Sequence, residues 1–564
     1  MKKAILFFSL FVFIGIINLS GQNPVSSLAN IDEFIVNEME AVHKPGYAAC
    51  IIKGDAVVWS GNFGYANFED SLLVSDSTLF SVFCVGKPVT STCVLKAWEE
   101  ELFGLDENVN GVLPFQVDNP YFVPDSITAR MLLTGTSSIA DYDFYKYASI
   151  GDPTETLGYF LENYLCLGGI YYMSGNFSSA IPGTTYKKTL AGMALNGYLV
   201  ETLSGMDFRE YAAAKILNPL GMERSAWFLA ELNIENLAIG YNFIGGEFVP
   251  YPHYGFAAYP MLCLRSNAKE LANFVIMLMN GGMYNGMQIL NQATVDSMLT
   301  VQPPTSSEGF GIQNTNIWNY HGTFQRNLWG QMGGGNAGYA AIIRLCKNDK
   351  TGVVYVSNSK HYMYNIEKRL FDYAAMFVIA EPACDIAPDE FTALWQSAPD
   401  ASGYFLDVAL DEAFNNFIPG YENLNVGLDT NHAVNGLTQN MTYYYRLSAY
   451  NEVDTGAFSN TILVNTAIVS VSETDQSNNN LGVVILPNPA RSAVCFEYEL
   501  SQQSNVTLEI TDQQGHLIET LIESHQDRGR QKVSWNLEHL PSGIYFCRFQ
   551  AGNKVITRKI VKVD

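Results

Sequence analysis

Cys84 and Lys87 are a pair whose residue types and spacing could support acyl-transfer chemistry. They stand three residues apart at the start of a predicted helix, so both side chains lie on one face of it. A thiolate is a strong nucleophile, and a neighbouring ammonium group favours its formation. The pair therefore predicts a nucleophile, Cys84, assisted by a basic residue, Lys87.

The elements that surround this pair predict a mixed α/β domain over residues 23–381. The segment from Asn267 to Asn280 has apolar residues at helical spacing, an asparagine at its start and two glycines after its end. The run from Gly352 to Asn358 is short and apolar, which is typical of a buried strand. Helix and strand patterns of this kind alternate along the whole segment.

A series of motifs in this domain resembles the serine β-lactamase and penicillin-binding superfamily, in its class C, D-aminopeptidase and esterase branch. In chain order the motifs are Phe80–Thr90, Gly104–Val109, Ile127–Ser137, Pro182–Lys188, Asn218–Met222 and Met332–Tyr339. The resemblance covers most of residues 30–380 and implies a mixed antiparallel sheet flanked by helices. It also implies nucleophilic acyl transfer on β-lactam, D-peptide or ester substrates, without a cofactor.

The resemblance assigns a role to each position of the site. In that family a serine and a lysine share one helix, a tyrosine shuttles protons, and a lysine or histidine on a neighbouring strand completes the positive field. Here the serine position is Cys84, and the lysine is retained as Lys87. The tyrosine position falls on Lys188, and the strand cation position falls on Met332. The substrate pocket is then expected to consist of Met332, Gly333, Gly334 and Gly335, where a ligand can approach the strand closely.

These departures from the family pattern leave two functions open. Loss of the tyrosine and of the strand cation should each cost orders of magnitude in rate. We therefore predict a pseudoenzyme that is impaired in acyl hydrolysis and binds peptides, peptidoglycan fragments or esters. The alternative is an active thiol acyl-hydrolase with Cys84 as nucleophile and Lys87 as base, in which Lys188 supplies a second cation. A purely structural surface protein is a third hypothesis.

Composition and charge exclude several other classes of protein. The 564 residues include 32 Lys and Arg against 56 Asp and Glu, so the net charge of −24 argues against nucleic-acid binding. Hydrophobic residues make up 48% of the chain, enough for packed cores. The nine cysteines form no CxxC pair and the HExxH motif is absent, so we expect no metal site.

The N-terminal segment has the pattern of a secretory signal peptide, which we place at residues 1–21. Lys2 and Lys3 precede an apolar run from Ala4 to Leu19, and the small pair Ser20-Gly21 follows it. No later segment is apolar for long enough to span a bilayer, so we expect no transmembrane segment in the mature chain. The protein is expected to be secreted or to lie at the cell surface.

Over residues 382–467 the sequence pattern changes to short predicted strands and turns. This region resembles a fibronectin type III domain. The resemblance depends on Trp395, Tyr404, Leu437 and Tyr443, and it implies structural roles for them in the core and at a corner. Residues 468–482 are polar and predict a linker.

Residues 483–564 resemble the C-terminal sorting domain of the type IX secretion system of Bacteroidetes. The resemblance depends on the entry at Leu486–Ala490, the strand at Ser542–Phe546 and the closing strand at Lys554–Val561. It implies the type IX secretion machinery as a partner, passage across the outer membrane, and release or surface attachment. We therefore expect an α/β domain followed by two all-β sandwich domains.

Overall fold

The computed structural model describes residues 30–122, 126–335, 338–467, 482–491, 493–512, 516–537 and 540–563. The chain divides into two compact units, with the boundary between residues 468 and 469. The predicted signal peptide and nearly all of the predicted linker lie outside the described residues.

A seven-stranded antiparallel sheet forms the centre of the first unit. In sheet order its strands are Gln313–Trp318, Gln325–Gly335, Tyr339–Cys346, Thr351–Ser357, Gly46–Lys53, Ala56–Asn67 and Leu72–Leu73. The pairing of Tyr47 with Ser357 joins the first long strand of the chain to the last strand of this sheet. The segment between Leu73 and Gln313 is therefore a long insertion that returns to the same sheet.

Helices cover both faces of this sheet. The α-helices are Ile31–Ala41, Gly86–Glu99, Ala129–Thr134, Leu157–Leu165, Leu190–Ser204, Phe208–Ala212, Tyr259–Leu262, Ala268–Met279, Gln292–Met298 and Tyr364–Met376. Short strand pairs connect them: Phe80–Ser81 with Arg265–Ser266, Ser149–Ile150 with Tyr254–Gly255, Tyr241–Ile244 with Glu247–Pro250, and Met283–Tyr284 with Met287–Gln288. The α/β fold class expected from the sequence is confirmed.

The sheet separates two hydrophobic cores. The larger core packs the inserted helices, including Gly86–Glu99, against one face, and the smaller core packs Ile31–Ala41 and Tyr364–Met376 against the other. The helix predicted after Asn267 is confirmed, because the Asn267 side chain accepts the backbone N–H of Glu270 as a cap. The two cores matter for the site, since they show which face each strand residue occupies.

Two further antiparallel sheets follow in the same unit. One consists of Ala380–Cys384, Glu390–Trp395 and Asn431–Asn435, and the other of Leu424–Gly427, Gly403–Ala409, Thr442–Tyr450 and Ile462–Asn465. Their inward residues belong to the smaller core. Trp395 is buried, and the Tyr443 hydroxyl accepts the backbone N–H of Thr438 at 2.7 Å, pinning the turn before its own strand.

Buried ion pairs join these two sheets to the helical part of the unit. Arg369 Nη1 lies 2.8 Å from Asp454 Oδ2, and both side chains are almost completely buried. Arg326 pairs with Asp400 in the same region. Residues 30–467 are therefore continuous in packing as well as in sequence.

The second unit consists of strands alone. One sheet contains Val483–Leu486, Ala493–Leu500 and Gly529–Asn536, and the other contains Leu517–Gln526, Ser504–Thr511, Gly543–Ala551 and Lys554–Lys562. Both sheets contribute to one core that includes Phe496, Trp535 and Phe549. Among the residues that the structure describes, none of the helices is both long and apolar enough to span a membrane.

Candidate active site

Cys84 lies in a tight turn at the start of the helix Gly86–Glu99. Residues Phe83–Val85 form a single turn of 3₁₀-helix, which we call the Cys84 turn. Phe83 has a φ of 47°, in the left-handed region that an aromatic residue rarely adopts. Backbone hydrogen bonds hold the turn: Val82 donates to Leu264 O and Val85 donates to Val82 O, each at 3.0 Å. The half-buried Cys84 side chain is thus held on constrained backbone.

The strand Gln325–Gly335, here called the glycine-rich strand, packs directly against the Cys84 turn. A Cβ atom on Gly333 would lie 2.0 Å from Val82 O and 2.8 Å from the Cys84 nitrogen. Only glycine therefore permits this approach. The Cys84 N–H has no hydrogen-bond acceptor among the described residues, which leaves it free to donate to a ligand carbonyl.

Lys87 forms a buried ion pair with Glu308, a residue that lies outside all of the sequence motifs. Lys87 Nζ lies 3.2 Å from Glu308 Oε2, and the two side chains are 5% and 0% exposed. Within the described part of the chain, no hydrogen bond joins Lys87 to Cys84. The ammonium charge is therefore compensated by a carboxylate and is not directed at the thiol.

A tyrosine and a glutamine donate hydrogen bonds to the second carboxylate oxygen of Glu308. The Tyr186 hydroxyl donates to Glu308 Oε1 at 2.5 Å, and Gln313 Nε2 donates to the same oxygen. Burial and the adjacent Glu308 charge raise the pKa of Tyr186 well above its usual range, and Cys84 contributes in the same direction. Tyr186 is therefore protonated at neutral pH and bound to the carboxylate.

Lys188, the residue at the predicted tyrosine position, is exposed. It makes no hydrogen bond or ion pair with any described residue. Two residues earlier in the same loop, Tyr186 reaches into the site and contacts Glu308, the partner of Lys87. The structure thus brings Cys84, Lys87 and Tyr186 to one side of the sheet, whereas Lys188 faces solvent.

Met332 lies on the face of the glycine-rich strand opposite to the Cys84 turn. It packs against the smaller core, together with its cross-strand partner Ile342. Because successive strand residues alternate between faces, the residue that shares the face of Gly333 is Gln331. Gln331, two residues before Gly333, thus occupies the strand position beside the site that we predicted for Met332.

Gln331 is buried and only half satisfied. Its Nε2 donates to the Met332 carbonyl at 3.0 Å, and this contact fixes the amide orientation, because Oε1 there would face another acceptor. Its Oε1 is buried without a hydrogen-bond partner among the described residues. The strand therefore presents a neutral amide, not a cation, beside the site.

Gly334 and Gly335 continue the glycine-rich strand beyond Gly333. Gly334 has a φ of 124°, and a Cβ atom there would lie 2.2 Å from Tyr339 O. Gly335 pairs with Tyr339 across the hairpin. Glycine is therefore required at Gly334 by its backbone conformation and by the close carbonyl of Tyr339, and at Gly333 by the approach to the Cys84 turn.

Three tyrosine side chains lie within electrostatic reach of Cys84: Tyr145, Tyr186 and Tyr362. Burial raises the pKa of Tyr362 to about 12, and Cys84 adds to this shift. Burial likewise raises the pKa of Tyr145, with further contributions from Cys84 and Asp141. Tyr145 is nevertheless 69% exposed as a residue. The thiol thus lies among phenol groups that stay protonated at neutral pH.

Asp141 is a second carboxylate on this side of the molecule. It accepts the backbone N–H of Leu190 at 2.7 Å and of Ala191 at 3.0 Å, at the start of the helix Leu190–Ser204. Burial raises the pKa of Asp141, although these hydrogen bonds oppose the shift. The described residues include no group of three or more His, Cys, Asp or Glu side chains that could hold a metal ion.

Sequence comparison places the chain in a family. The model for the β-lactamase family matches residues 31–375, more than half of the chain, so the chain belongs to this family. A second model, described as a secretion system C-terminal sorting domain, matches residues 484–563. The family and sorting-domain resemblances found in the sequence are therefore confirmed.

Curated relatives are distant. Protein flp of Staphylococcus aureus is 21% identical over 255 residues, covering 45% of this chain and 49% of that protein. Penicillin-binding protein 4* of Bacillus subtilis is 24% identical over 192 residues, covering 34% and 40%. The human putative beta-lactamase-like 1 is 23% identical over 340 residues, covering 58% and 64%. The chain spans about half the length of the curated relatives it matches.

Two solved structures resemble the chain at low identity. The octameric penicillin-binding protein homologue from Pyrococcus abyssi is 18% identical, with a TM-score of 0.48, and covers 94% of this chain and all of that one. A penicillin binding protein from Bacillus halodurans is 21% identical, also with a TM-score of 0.48, and covers 60% of this chain and 98% of its own.

Proposed function

We propose that this protein is an exported member of the β-lactamase family that binds a ligand beside Cys84 without efficient acyl hydrolysis. The observation that carries the proposal is the buried ion pair between Lys87 and Glu308. A lysine acts as a general base only when its amine carries a lone pair, and an adjacent carboxylate stabilises the charged ammonium instead. The ion pair therefore opposes the use of Lys87 as the base that takes a proton from Cys84.

Glu308 also weakens the electrostatic activation of the thiol. A nearby cation favours a thiolate, but the carboxylate at 3.2 Å from Lys87 Nζ carries the opposite charge and opposes that field. Lys188 is exposed to solvent and does not supply a substitute charge inside the site. The three protonated tyrosines are hydrogen-bond donors or acceptors for a ligand, but none of them is a base at neutral pH.

The other groups of the site are suited to binding a ligand. The Cys84 N–H has no acceptor among the described residues and can donate to a ligand carbonyl oxygen, and Gly333 allows close approach at the strand. The expected ligands are peptides, peptidoglycan fragments or esters, all of which carry a carbonyl group. The competing function is a thiol acyl-hydrolase with Cys84 as nucleophile.

Acylation of Cys84 distinguishes the two functions. The purified protein is incubated with a fluorescent penicillin and with p-nitrophenyl butyrate, and adducts are detected by intact mass. We expect no stoichiometric adduct and an ester turnover equal to that of Cys84→Ala. An adduct that forms on the natural chain and is absent from Cys84→Ala would show that the site is an active thiol acyl-hydrolase.

For the rest of the chain we propose export through the type IX secretion machinery, on the basis of the sorting domain at residues 484–563. The mature protein is then secreted or surface-attached, and its source is a bacterium of the Bacteroidetes. We also propose that residues 382–467 form a fibronectin type III-like domain, supported by their sheets of three and four strands and by the pinned turn at Tyr443. Deletion of residues 484–563 should retain the protein inside the outer membrane.

A further inference from the structure

Glu308 lies on a closed loop, residues 302–312, which we call the Glu308 loop. The Gln302 N–H donates to the Glu308 carbonyl oxygen at 2.8 Å, and the Thr305 hydroxyl donates to the same oxygen at 2.9 Å. The Glu308 N–H in turn donates to the Thr305 hydroxyl at 3.2 Å. The backbone of the loop therefore fixes the place from which the Glu308 side chain extends.

The Glu308 loop is pressed against the helix that carries Lys87. A Cβ atom on Gly311 would overlap Ser91 Oγ, and it would lie 2.7 Å from Ser91 Cβ and 3.5 Å from the Lys87 carbonyl oxygen. The φ of Gly311 is 73°, so glycine is required there for its conformation as well as for its size. Ser91 follows Lys87 by four residues and shares its face of the helix. The loop thus covers the helix face from which Lys87 projects.

Three side chains donate to the Glu308 carboxylate, and one of the three carries a charge. Lys87 Nζ lies 3.2 Å from Oε2, whereas Oε1 accepts from the neutral groups of Tyr186 and Gln313. The carboxylate itself is completely buried. Within this group the charge of Lys87 is therefore directed to Glu308.

Cys84 lies one helical turn before Lys87. The two residues between them, Val85 and Gly86, have helical φ and ψ of −66° and −19°, and of −66° and −21°. Residues three apart on a helix have Cβ atoms about 5–6 Å apart. A charge on Lys87 without a counterion would therefore act on the thiol, and an uncharged amine at the same place could take its proton.

We propose that Glu308 suppresses thiol chemistry at Cys84, and that removal of its charge converts the ligand-binding site into one that accepts an acyl group. This proposal rests on the proposed binding function and names the residue that regulates the same site. Glu308 acts through Lys87 and is a positioning residue. Without the carboxylate, the buried Lys87 amine either keeps its charge and favours the Cys84 thiolate, or loses its proton and becomes the base.

The acyl transfer that follows is a simple exchange of bonds. The Cys84 sulfur attacks the carbonyl carbon of an ester, and a C–S bond forms as the ester C–O bond breaks. The alcohol leaves with the bonding electron pair, and the thiol proton passes to Lys87 or to water. The product is a thioester on Cys84.

Alkylation of Cys84 by iodoacetamide measures the effect of Glu308 on the thiol. The full protein is treated across a range of pH, and the peptide that contains Cys84 is quantified by mass spectrometry, apart from the other cysteines. We expect Glu308→Gln to react about tenfold faster than the natural chain at pH 7, with its pH profile displaced to lower pH. Glu210→Gln, at an exposed glutamate of the same unit, is the control and should react at the natural rate. An unchanged rate and profile in Glu308→Gln that is folded by circular dichroism would overturn the proposal.

Two further variants test the route through Lys87. Glu308→Asp keeps the charge but withdraws the carboxylate by one methylene group, so we expect a smaller rise in rate, about threefold. The double variant Lys87→Met with Glu308→Gln should return to the natural rate, because the effect acts through Lys87. The proposal fails if the rise persists in the double variant, or if Glu308→Asp shows no rise when Glu308→Gln is unfolded.

An acyl donor keeps this proposal apart from the proposed function. With p-nitrophenyl butyrate, folded Glu308→Gln should gain one butyryl group by intact mass, and the same variant with Cys84→Ala should gain none. An adduct on the natural chain would refute the proposed function, and the alkylation rates would still decide the role of Glu308. No adduct on folded Glu308→Gln would refute the role of Glu308 and leave the proposed function intact.

Discussion

At the scale of single residues, one acidic side chain changes the chemistry of the site. Cys84 and Lys87 have the types and spacing of a nucleophile and its base, but Glu308 lies 3.2 Å from Lys87 and Tyr186 donates to its second oxygen. Glu308 is 221 positions from Lys87 along the chain. No local pattern could have revealed this contact, because it exists only once the two ends of the insertion have come together in the fold. Tyr186, in contrast, could have been selected from the sequence, because it is a tyrosine two residues before Lys188, the position at which a tyrosine was expected.

The ion pair leads to a prediction about stability. Lys87→Met leaves the Glu308 carboxylate buried without its cation, so we expect a loss of about 3 kcal/mol in the free energy of unfolding. The double variant Lys87→Met with Glu308→Gln removes both charges and should recover more than half of this loss. Urea denaturation of the first unit, followed by tryptophan fluorescence, measures both values. The two side chains would not act as a pair if the double variant lost as much free energy of unfolding as the single variants Lys87→Met and Glu308→Gln together, with both single losses large.

At the scale of elements, the alternation of side chains along the glycine-rich strand decides which residues face Cys84. The sequence motif correctly located a glycine-rich strand, and the α/β fold follows from motif order and helix and strand patterns. The motif did not establish which glycine contacts the Cys84 turn. That contact is made by Gly333, so Gln331 shares its face and Met332 packs into the opposite core. A shift of one residue along a strand exchanges the two faces, and only the packing against Val82 resolves it.

The contact of Gly333 with the Cys84 turn gives a second prediction. A Cβ atom would lie 2.0 Å from Val82 O, which is backbone and has little freedom to move. We expect Gly333→Ala to lower the free energy of unfolding by about 2–3 kcal/mol, because the strand and the turn must separate. Gly111→Ala is the control, since a Cβ atom at Gly111 has no neighbour within 4 Å and φ is not in the left-handed region. A loss of the same size in both variants would show that the close approach is not the cause.

At the scale of the whole molecule, the chain consists of a unit that contains the β-lactamase-family region and a unit that matches the sorting-domain family. The region 382–467, for which the sequence predicts a separate fibronectin type III-like domain, packs its strands into the smaller core beside the helix Tyr364–Met376. The strand patterns alone predicted its β structure. The contact with the helical part was not predictable, because Arg369 and Asp454 have no local signal that marks them as partners.

The junction between this region and the helical part gives the last prediction. Arg369 Nη1 and Nη2 both donate to the buried Asp454 carboxylate, at 2.8 and 3.2 Å. Asp454→Ala leaves the Arg369 guanidinium buried without this carboxylate, so we expect a loss of about 3 kcal/mol in the free energy of unfolding and faster proteolysis between residues 377 and 390. Asp429→Asn, an exposed acidic residue of the same region, should be cleaved at the natural rate. Unchanged proteolysis and stability in Asp454→Ala would mean that the hydrophobic contacts alone hold the strands on the helix, and that the ion pair contributes no net stability there.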